Sequence, residues 1–256
     1  MMKVEKLSGE VMYMEIGAKT DIGEVRDRNQ DAYFISSSVS HPLFIIADGM
    51  GGHKAGEIAS NMVINVMSTQ LKEELKKSVL DDEDIQNKIE DSIAIANEKI
   101  YKKSLEDEKF SGMGTTVTLA YERDGRIYIG HVGDSRAYIL RENTFYQLTR
   151  DHSLVEELMR NGSISKEEAK NHPQRNIITR AVGTSEDIEV DIIVKKRYKN
   201  DILLLCSDGL SNMLSDDEIK EVLLSSPSMN KACEDLVKLS KNKGGFDNIT
   251  VLAVKF

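Results

Sequence analysis

The sequence predicts an α+β domain. Strand-like runs come in groups and helical stretches in adjacent pairs, without the regular alternation of the two that a parallel sheet requires. Taken in order, residues 14 to 20 and 31 to 37 read as strands, and Leu43 to Ala47 is an unbroken apolar run of the kind covered on both faces. From Ala55 to Lys77 the period changes, and Ile58, Met62 and Val66 join Ala59, Val63, Met67, Leu71 and Leu75 in one helical stripe. A second helix is predicted over Asp84 to Ser104, with Ile85, Ile89, Ile93, Ala96 and Ile100 facing inward. Asp81, Asp82 and Glu83 put negative charge at its start, where the helix dipole favours it.

Four short strand-like runs follow: Thr115 to Glu122, Arg126 to Val132, Arg136 to Arg141 and Phe145 to Leu148. Turn signals such as Asp124-Gly125 and Glu142-Asn143 separate them, so an antiparallel meander is expected. Residues 150 to 184 are polar, carry Pro173 and break the alternation, which predicts a partly helical inserted flap. Strands resume near Ile188 to Val194 and Ile202 to Cys206, helices near Asp216 to Leu224 and Asn230 to Asn242, and a last strand at Ile249 to Phe256. Met12 and Met14 stand just before the first clear strand, so residues 1–13 are expected to be a tail and 14–256 one domain. There is no internal repeat.

A chain of 256 residues suits a single domain, since domains commonly run to about 100–200 residues. With 40% hydrophobic and 30% charged residues it is globular rather than disordered. The net charge of −9 disfavours nucleic acid and anionic lipid as partners, because like charges repel at long range. Cys206 and Cys233 are too few for a disulfide framework and lack zinc-site spacing, which fits a reducing cytoplasm. No stretch approaches the roughly 20 apolar residues of a membrane helix, so no membrane insertion is expected. A monomer is the default.

Two places share one construction. Leu43 to Gly49 and Ile202 to Gly209 each run a buried strand into Asp-Gly, at Asp48 and Asp208, and "GGFDN" places Asp247 where the final strand begins. If these strands are neighbours, three carboxylates converge and need a counter-charge, for which a divalent metal is the strongest source. Oxygen-only ligation favours Mg2+ or Mn2+ over zinc. Glycine after the acid lets its own carbonyl approach an ion. Asp-Gly is equally a common turn dipeptide, so spacing alone leaves the turn reading open.

The motifs go further. "GEVRDRNQDA", with Arg26 to Asp31, "ADGMGGHKAGEIAS" at 47–60, "GMGTT" at 112–116, "HVGDSRAY" at 131–138, "LTRDHSL" at 148–154, "CSDGL" at 206–210 and "GGFDNIT" at 244–250 stand in order. This set resembles that of the metal-dependent serine/threonine protein phosphatases, the PPM or type 2C family, in its compact bacterial form. The likeness spans 14–256. It implies a four-layer α-β-β-α sandwich of two antiparallel sheets flanked by helix pairs, with a binuclear Mn2+ or Mg2+ centre at one end. By the resemblance, Asp48 bridges both ions, the Gly49 carbonyl binds one, Asp208 and Asp247 hold the other, and Asp31 acts through water. Asp134, with Asp208, is placed for a third ion; its alternative is a turn residue in "VGDSR".

The resemblance also implies hydrolysis of phosphoserine and phosphothreonine in proteins by a water that the metals activate, opposite a eukaryotic-type serine/threonine kinase. Arg26 takes the place of the phosphate-binding arginine, its fork suited to phosphoryl oxygens, although alone it reads as a solvated charge. His53 is the histidine nearest the metal turn and the candidate acid for the leaving oxygen; Met50 follows Asp-Gly where eukaryotic members carry histidine, so water on the metals is the other donor. Gln30 stands where other members have a glutamate, and an amide is the poorer cation ligand. His131, His152 and His172 read as structural or flap residues. Cys206 suggests a thiolate phosphatase as rival, but its loop contains Asp208 and no arginine. A pseudophosphatase that binds phosphoproteins without turnover is the remaining alternative, and "GGHKAG" does not fit a phosphate loop.

Overall fold

The computed structural model describes residues 2–5, 11–36, 42–52, 54–75 and 79–256, with the backbone alone at 2–5 and 11–13. In chain order the strands and helices are β1 (Met2–Glu5), β2 (Val11–Asp21), β3 (Asp31–Ile35), β4 (Leu43–Met50), α1 (Ala55–Glu74) and α2 (Asp82–Glu106). Then come β5 (Gly114–Thr115), β6 (Val117–Arg123), β7 (Arg126–Val132), β8 (Arg136–Arg141), β9 (Thr144–Gln147), α3 (Leu154–Arg160) and α4 (Lys166–Lys170). The chain continues with β10 (Asp191–Lys196), β11 (Ile202–Cys206), α5 (Asp208–Ser211), α6 (Asp216–Ser225), α7 (Met229–Asn242) and β12 (Ile249–Lys255). One antiparallel sheet runs β1-β2-β12-β11-β8-β9 and the other β10-β7-β6-β4-β3, with β5 beside β4.

Alternation within each apolar run explains the layering. In β4, Leu43, Ile45 and Ala47 pack against α1 and α2 through Ala59, Val63, Met67, Ile89 and Ile93. Phe44 and Ile46 point the other way, into a core shared with Leu203, Leu205, Ile139, Leu252 and Val254 of the facing sheet. Leu204 and Cys206 in turn cover Ile219, Leu223, Cys233 and Leu236 of α6 and α7. Successive side chains on a strand point to opposite faces, so a strand lying between helices and a second sheet must be apolar throughout. The result is the α-β-β-α sandwich of the α+β class, and among the described residues no helix is long and apolar enough to cross a membrane.

Two expectations are corrected. The four runs after α2 do not form one meander: β6 and β7 pair in one sheet, whereas β8 and β9 pair in the other. The chain changes sheet at Gly133, whose φ of 111° suits glycine, and a Cβ there would lie 2.5 Å from the Thr116 side chain. Ser135 then anchors the crossing, its hydroxyl 2.8 Å from that of Thr116 and its carbonyl accepting from Thr118 Oγ1 at 3.0 Å. The described residues of the expected tail are not free of the sheet either, because Met2–Glu5 pairs antiparallel with β2, from Met2 opposite Met14 to Glu5 opposite Val11. An edge strand of β2 has free backbone groups, and β1 satisfies them.

Helix α2 starts one residue after Asp81, which accepts from Asp84 N at 2.8 Å while Asp84 Oδ2 accepts from Asp81 N at 3.2 Å. This reciprocal cap satisfies two amides that the helix leaves unpaired. Asp81→Ala is expected to lower the unfolding free energy by about 1 kcal/mol, read as a lower urea midpoint at unchanged slope.

Candidate metal centre

The five acids read as metal ligands in the sequence sit at or just beyond strand ends, at the same end of the sandwich. Asp31 opens β3 and is paired in register with Asp48 near the end of β4. Directly opposed like charges on antiparallel strands destabilise each other. Asp134 follows β7 at the crossing between sheets, Asp208 follows β11 as the first residue of α5, and Asp247 precedes β12. Contacts across the sandwich close the gap between sheets: Ser207 Oγ donates to Asp31 Oδ2 at 2.8 Å, and Gln30 N donates to Asn248 Oδ1 at 2.8 Å.

The electrostatics record how near the acids are. Burial, and then the charges of Asp31, Asp208, Asp134 and Asp247, hold Asp48 well above the ordinary carboxylate range. Burial pushes Asp31 to about 7, with Asp208 and Asp247 adding to it against the Ser207 bond. Asp208 rises to about 6, through burial and Asp247, and Asp134 rises well above its ordinary value through burial, Asp208 and Asp151. The acids stand as one charged group.

Three of its oxygens, Asp31 Oδ1, Asp134 Oδ1 and Asp208 Oδ1, are buried and accept no hydrogen bond. A buried lone pair without a donor is costly, and a hard cation is the partner such oxygens suit. The donor set therefore fits a Mg2+ or Mn2+ centre. Among the described residues no three carboxylate, imidazole or thiol groups close on one point as a finished cage.

Gly49 has a second reason to be glycine. A Cβ on it would lie 2.1 Å from the Gly56 carbonyl oxygen and 2.7 Å from that of Gln30, so the first turn of α1 rests directly on the backbone after Asp48. Arg26 is half-exposed, and its Nη2 donates to Asp247 Oδ2 at 2.7 Å. That bond, with the charges of Asp247, Asp208 and Asp48, raises its pKa further. His53 lies outside the described residues. Gln30 braces the turn, its carbonyl accepting from Gly49 N at 3.1 Å and its amide donating to Gly51 O at 3.4 Å.

Polar residues inside the motifs hold the acids, and the sequence reading passed over them. Asp48 N donates to Thr116 Oγ1 at 2.9 Å, and Asp48 O accepts from Thr116 N at 2.8 Å and Thr115 Oγ1 at 2.9 Å. Asn248 donates to Ile22 O at 2.9 Å and Arg28 O at 2.8 Å, which fixes the loop that carries Arg26. Ser207 and Asn248 stand next to an acid in "CSDGL" and "GGFDNIT", which was the available signal, whereas "GMGTT" contains no acid and gave none for Thr115 and Thr116.

Two histidines support the crossing between sheets. His131 is buried between Thr118 Oγ1 at 3.0 Å and Arg150 O at 2.9 Å, and burial lowers its pKa to about 4. His152 Nδ1 accepts from Gly133 N at 3.0 Å, and its Nε2 lies 3.0 Å from Arg180 Nη1 and 3.3 Å from Asp191 Oδ2. His172 Nδ1 accepts from Gln174 N at 3.2 Å within the 150–184 segment. Cys206 is wholly buried, and burial pushes its thiol up to about 12, so it is no thiolate nucleophile at neutral pH.

A family model described as Protein phosphatase 2C matches residues 24–244. The chain belongs to the protein phosphatase 2C family. It is accordingly an enzyme of the protein phosphatase class. This phosphatase 2C chain is 41% identical over 238 residues to the serine/threonine phosphatase stp of Listeria welshimeri, covering 93% of itself and 94% of that protein. The solved structure of the S. agalactiae serine/threonine phosphatase superposes with a TM-score of 0.88 at 40% identity, over 94% of this chain and 99% of that one. The catalytic domain of the phosphatase PstP, solved in complex with two manganese ions, superposes with a TM-score of 0.82 at 32% identity, over 94% and 97% of the two chains.

Cys233 is buried like Cys206, and its thiol is also pushed up to about 12. A thiol reagent such as Ellman's is therefore expected to label neither cysteine in the native phosphatase and both in denaturant. Fast labelling without denaturant would contradict their placement.

Proposed function

We propose that this phosphatase hydrolyses phosphoserine and phosphothreonine in proteins with the help of divalent cations, Mn2+ or Mg2+, held by the clustered acids. The observation that carries the proposal is the convergence of Asp31, Asp48, Asp134, Asp208 and Asp247 from both sheets, three of them with a buried oxygen that accepts no hydrogen bond. Support also comes from the two manganese ions of the related PstP. Asp48, the Gly49 carbonyl, Asp208 and Asp247 would hold a pair of ions, with Asp31 acting through water and Asp134 joining Asp208 at a third. When bound, the ions supply a water acidic enough to attack phosphorus at neutral pH, and positive charge for the phosphoryl oxygens.

The chain's own residues orient the substrate. Arg26, swinging off Asp247, would clamp two phosphoryl oxygens with its planar fork. His53 is assigned the proton for the leaving serine or threonine oxygen. The 150–184 segment would act as the flap that shapes access; its start is tied to β8 by Arg136, which grips both oxygens of Asp151 at 2.9 and 2.6 Å. The partner we assign is a serine/threonine kinase whose products this enzyme reverses, acting as a monomer in the reducing cytoplasm that suits its two free thiols.

Turnover of para-nitrophenyl phosphate tests the proposal. Activity should appear with Mn2+, vanish with chelator, and fall in Asp208→Ala by more than the roughly 100-fold that losing an outer supporting contact costs. Folded wild-type protein that binds phosphopeptide but never turns over with metal would instead be a pseudophosphatase.

The raised acids also set a pH dependence. Asp31, at about 7, and Asp208, at about 6, bind protons in the folded chain over a range where the unfolded chain has lost them. Without metal, their contribution to stability is full below about pH 4 and is lost as pH rises through 6 to 7. Cations bind the deprotonated acids, so the rise in Tm on adding Mn2+ is expected to grow between pH 5.5 and 8. A shift of equal size at both ends would contradict the ligand assignment.

A further inference from the structure

We propose that Val25 and Phe246 form an apolar ledge beside Arg26 that selects phosphoproteins with a large apolar side chain close in sequence to the phosphorylated residue. The inference rests on the phosphatase reading above and adds a substrate preference to it.

Val25 is 60% exposed, Phe246 59% and Ile22 37%. A lone exposed apolar side chain is ordinary on any protein surface. These differ in where they stand. Val25 immediately precedes Arg26, Phe246 immediately precedes Asp247, and Arg26 and Asp247 are bonded to each other at 2.7 Å. Other exposed large apolar residues of the described chain, such as Val79, Leu105, Tyr198 and Leu224, lie on other loops and helices.

The two loops are locked together, so the ledge keeps its shape without being buried. Glu24 N donates to Gly245 O at 2.8 Å, and Asn248 Nδ2 holds Ile22 O from the other loop. Lys241, at the end of α7, spans Asp21 at 3.0 Å and Glu24 at 3.2 Å. With Lys241 already paired, the ledge offers a peptide apolar contact in place of a free charge. Loops held this firmly lose little entropy when a ligand binds, which leaves more of the apolar contact as affinity.

Adjacent Cα atoms are about 3.8 Å apart, and an extended peptide advances about 3.3 Å per residue. With its phosphate on Arg26, a substrate therefore brings a side chain from about one to three positions away onto Val25 or Phe246. The occupant is that side chain of the phosphoprotein itself.

The test uses the intact protein with Mn2+ on three substrates: para-nitrophenyl phosphate, and two phosphoserine peptides that differ only in leucine or serine at the flanking positions. Wild type should favour the leucine peptide by roughly tenfold in kcat/KM. The double variant Val25→Ser, Phe246→Ser should bring the two peptides within about twofold of each other. Its turnover of para-nitrophenyl phosphate should match wild type, because that substrate is too small to reach the ledge. Val25→Thr and Phe246→Ser singly repeat the comparison if the double variant misfolds. Equal rates on both peptides in wild type, or a preference that survives the variants, would overturn the ledge alone. Dimerisation through these residues in sedimentation, abolished in the variants, would give the surface to a second copy and overturn it too. Absence of turnover on all three substrates would remove the phosphatase reading and the ledge with it.

Discussion

Negative charge crowded into one end of a rigid sandwich is the constraint around which the rest is arranged. Asp31 faces Asp48 across a strand pair, and Asp134, Asp208 and Asp247 raise their neighbours' pKa values or have their own raised. Burial and mutual repulsion oppose ionisation at the same place. The surrounding polar residues act on position more than on charge: Thr116 fixes the Asp48 backbone, and Asn248 fixes the loops on either side of Arg26. A site that keeps its acids together despite their repulsion is organised for cations.

The apolar layers make that possible. Strands such as β4 and β11 are covered on both faces, so their polar residues are confined to the ends, where the chain leaves the core. Three cores, one between the sheets and one under each helix pair, hold those ends in register. Close packing transmits small displacements, so the geometry of the acids depends on residues well inside the sandwich.

Much of this was legible in the sequence because it is local. The unbroken apolar runs Leu43 to Ala47 and Ile202 to Cys206 announced buried strands, and the Asp-Gly pairs just beyond them were the candidate ligand positions. The partition of strands between sheets was not legible. Alternation in Arg126 to Val132 and Arg136 to Arg141 is the same whether the next strand pairs alongside or crosses over, and Gly133 discloses the crossing only once Thr116 is seen against it. The two-sheet architecture came instead from the ordered motifs. Supporting residues such as Ser207 and Asn248 stayed hidden for a similar reason, since their partners Asp31 and Gln30 lie on the opposite sheet, far away in the chain.

The bond from Ser207 to Asp31 works like the pin of a clasp, joining the two leaves of the sandwich where the acids meet. Sliding one leaf past the other would pull Asp31 and Asp48 away from Asp208 and Asp247 before any strand came apart. Mild heat, pressure or a loosening substitution deep between the leaves would then silence the molecule while its strands and helices remained intact by spectroscopy. Loss of output would precede melting.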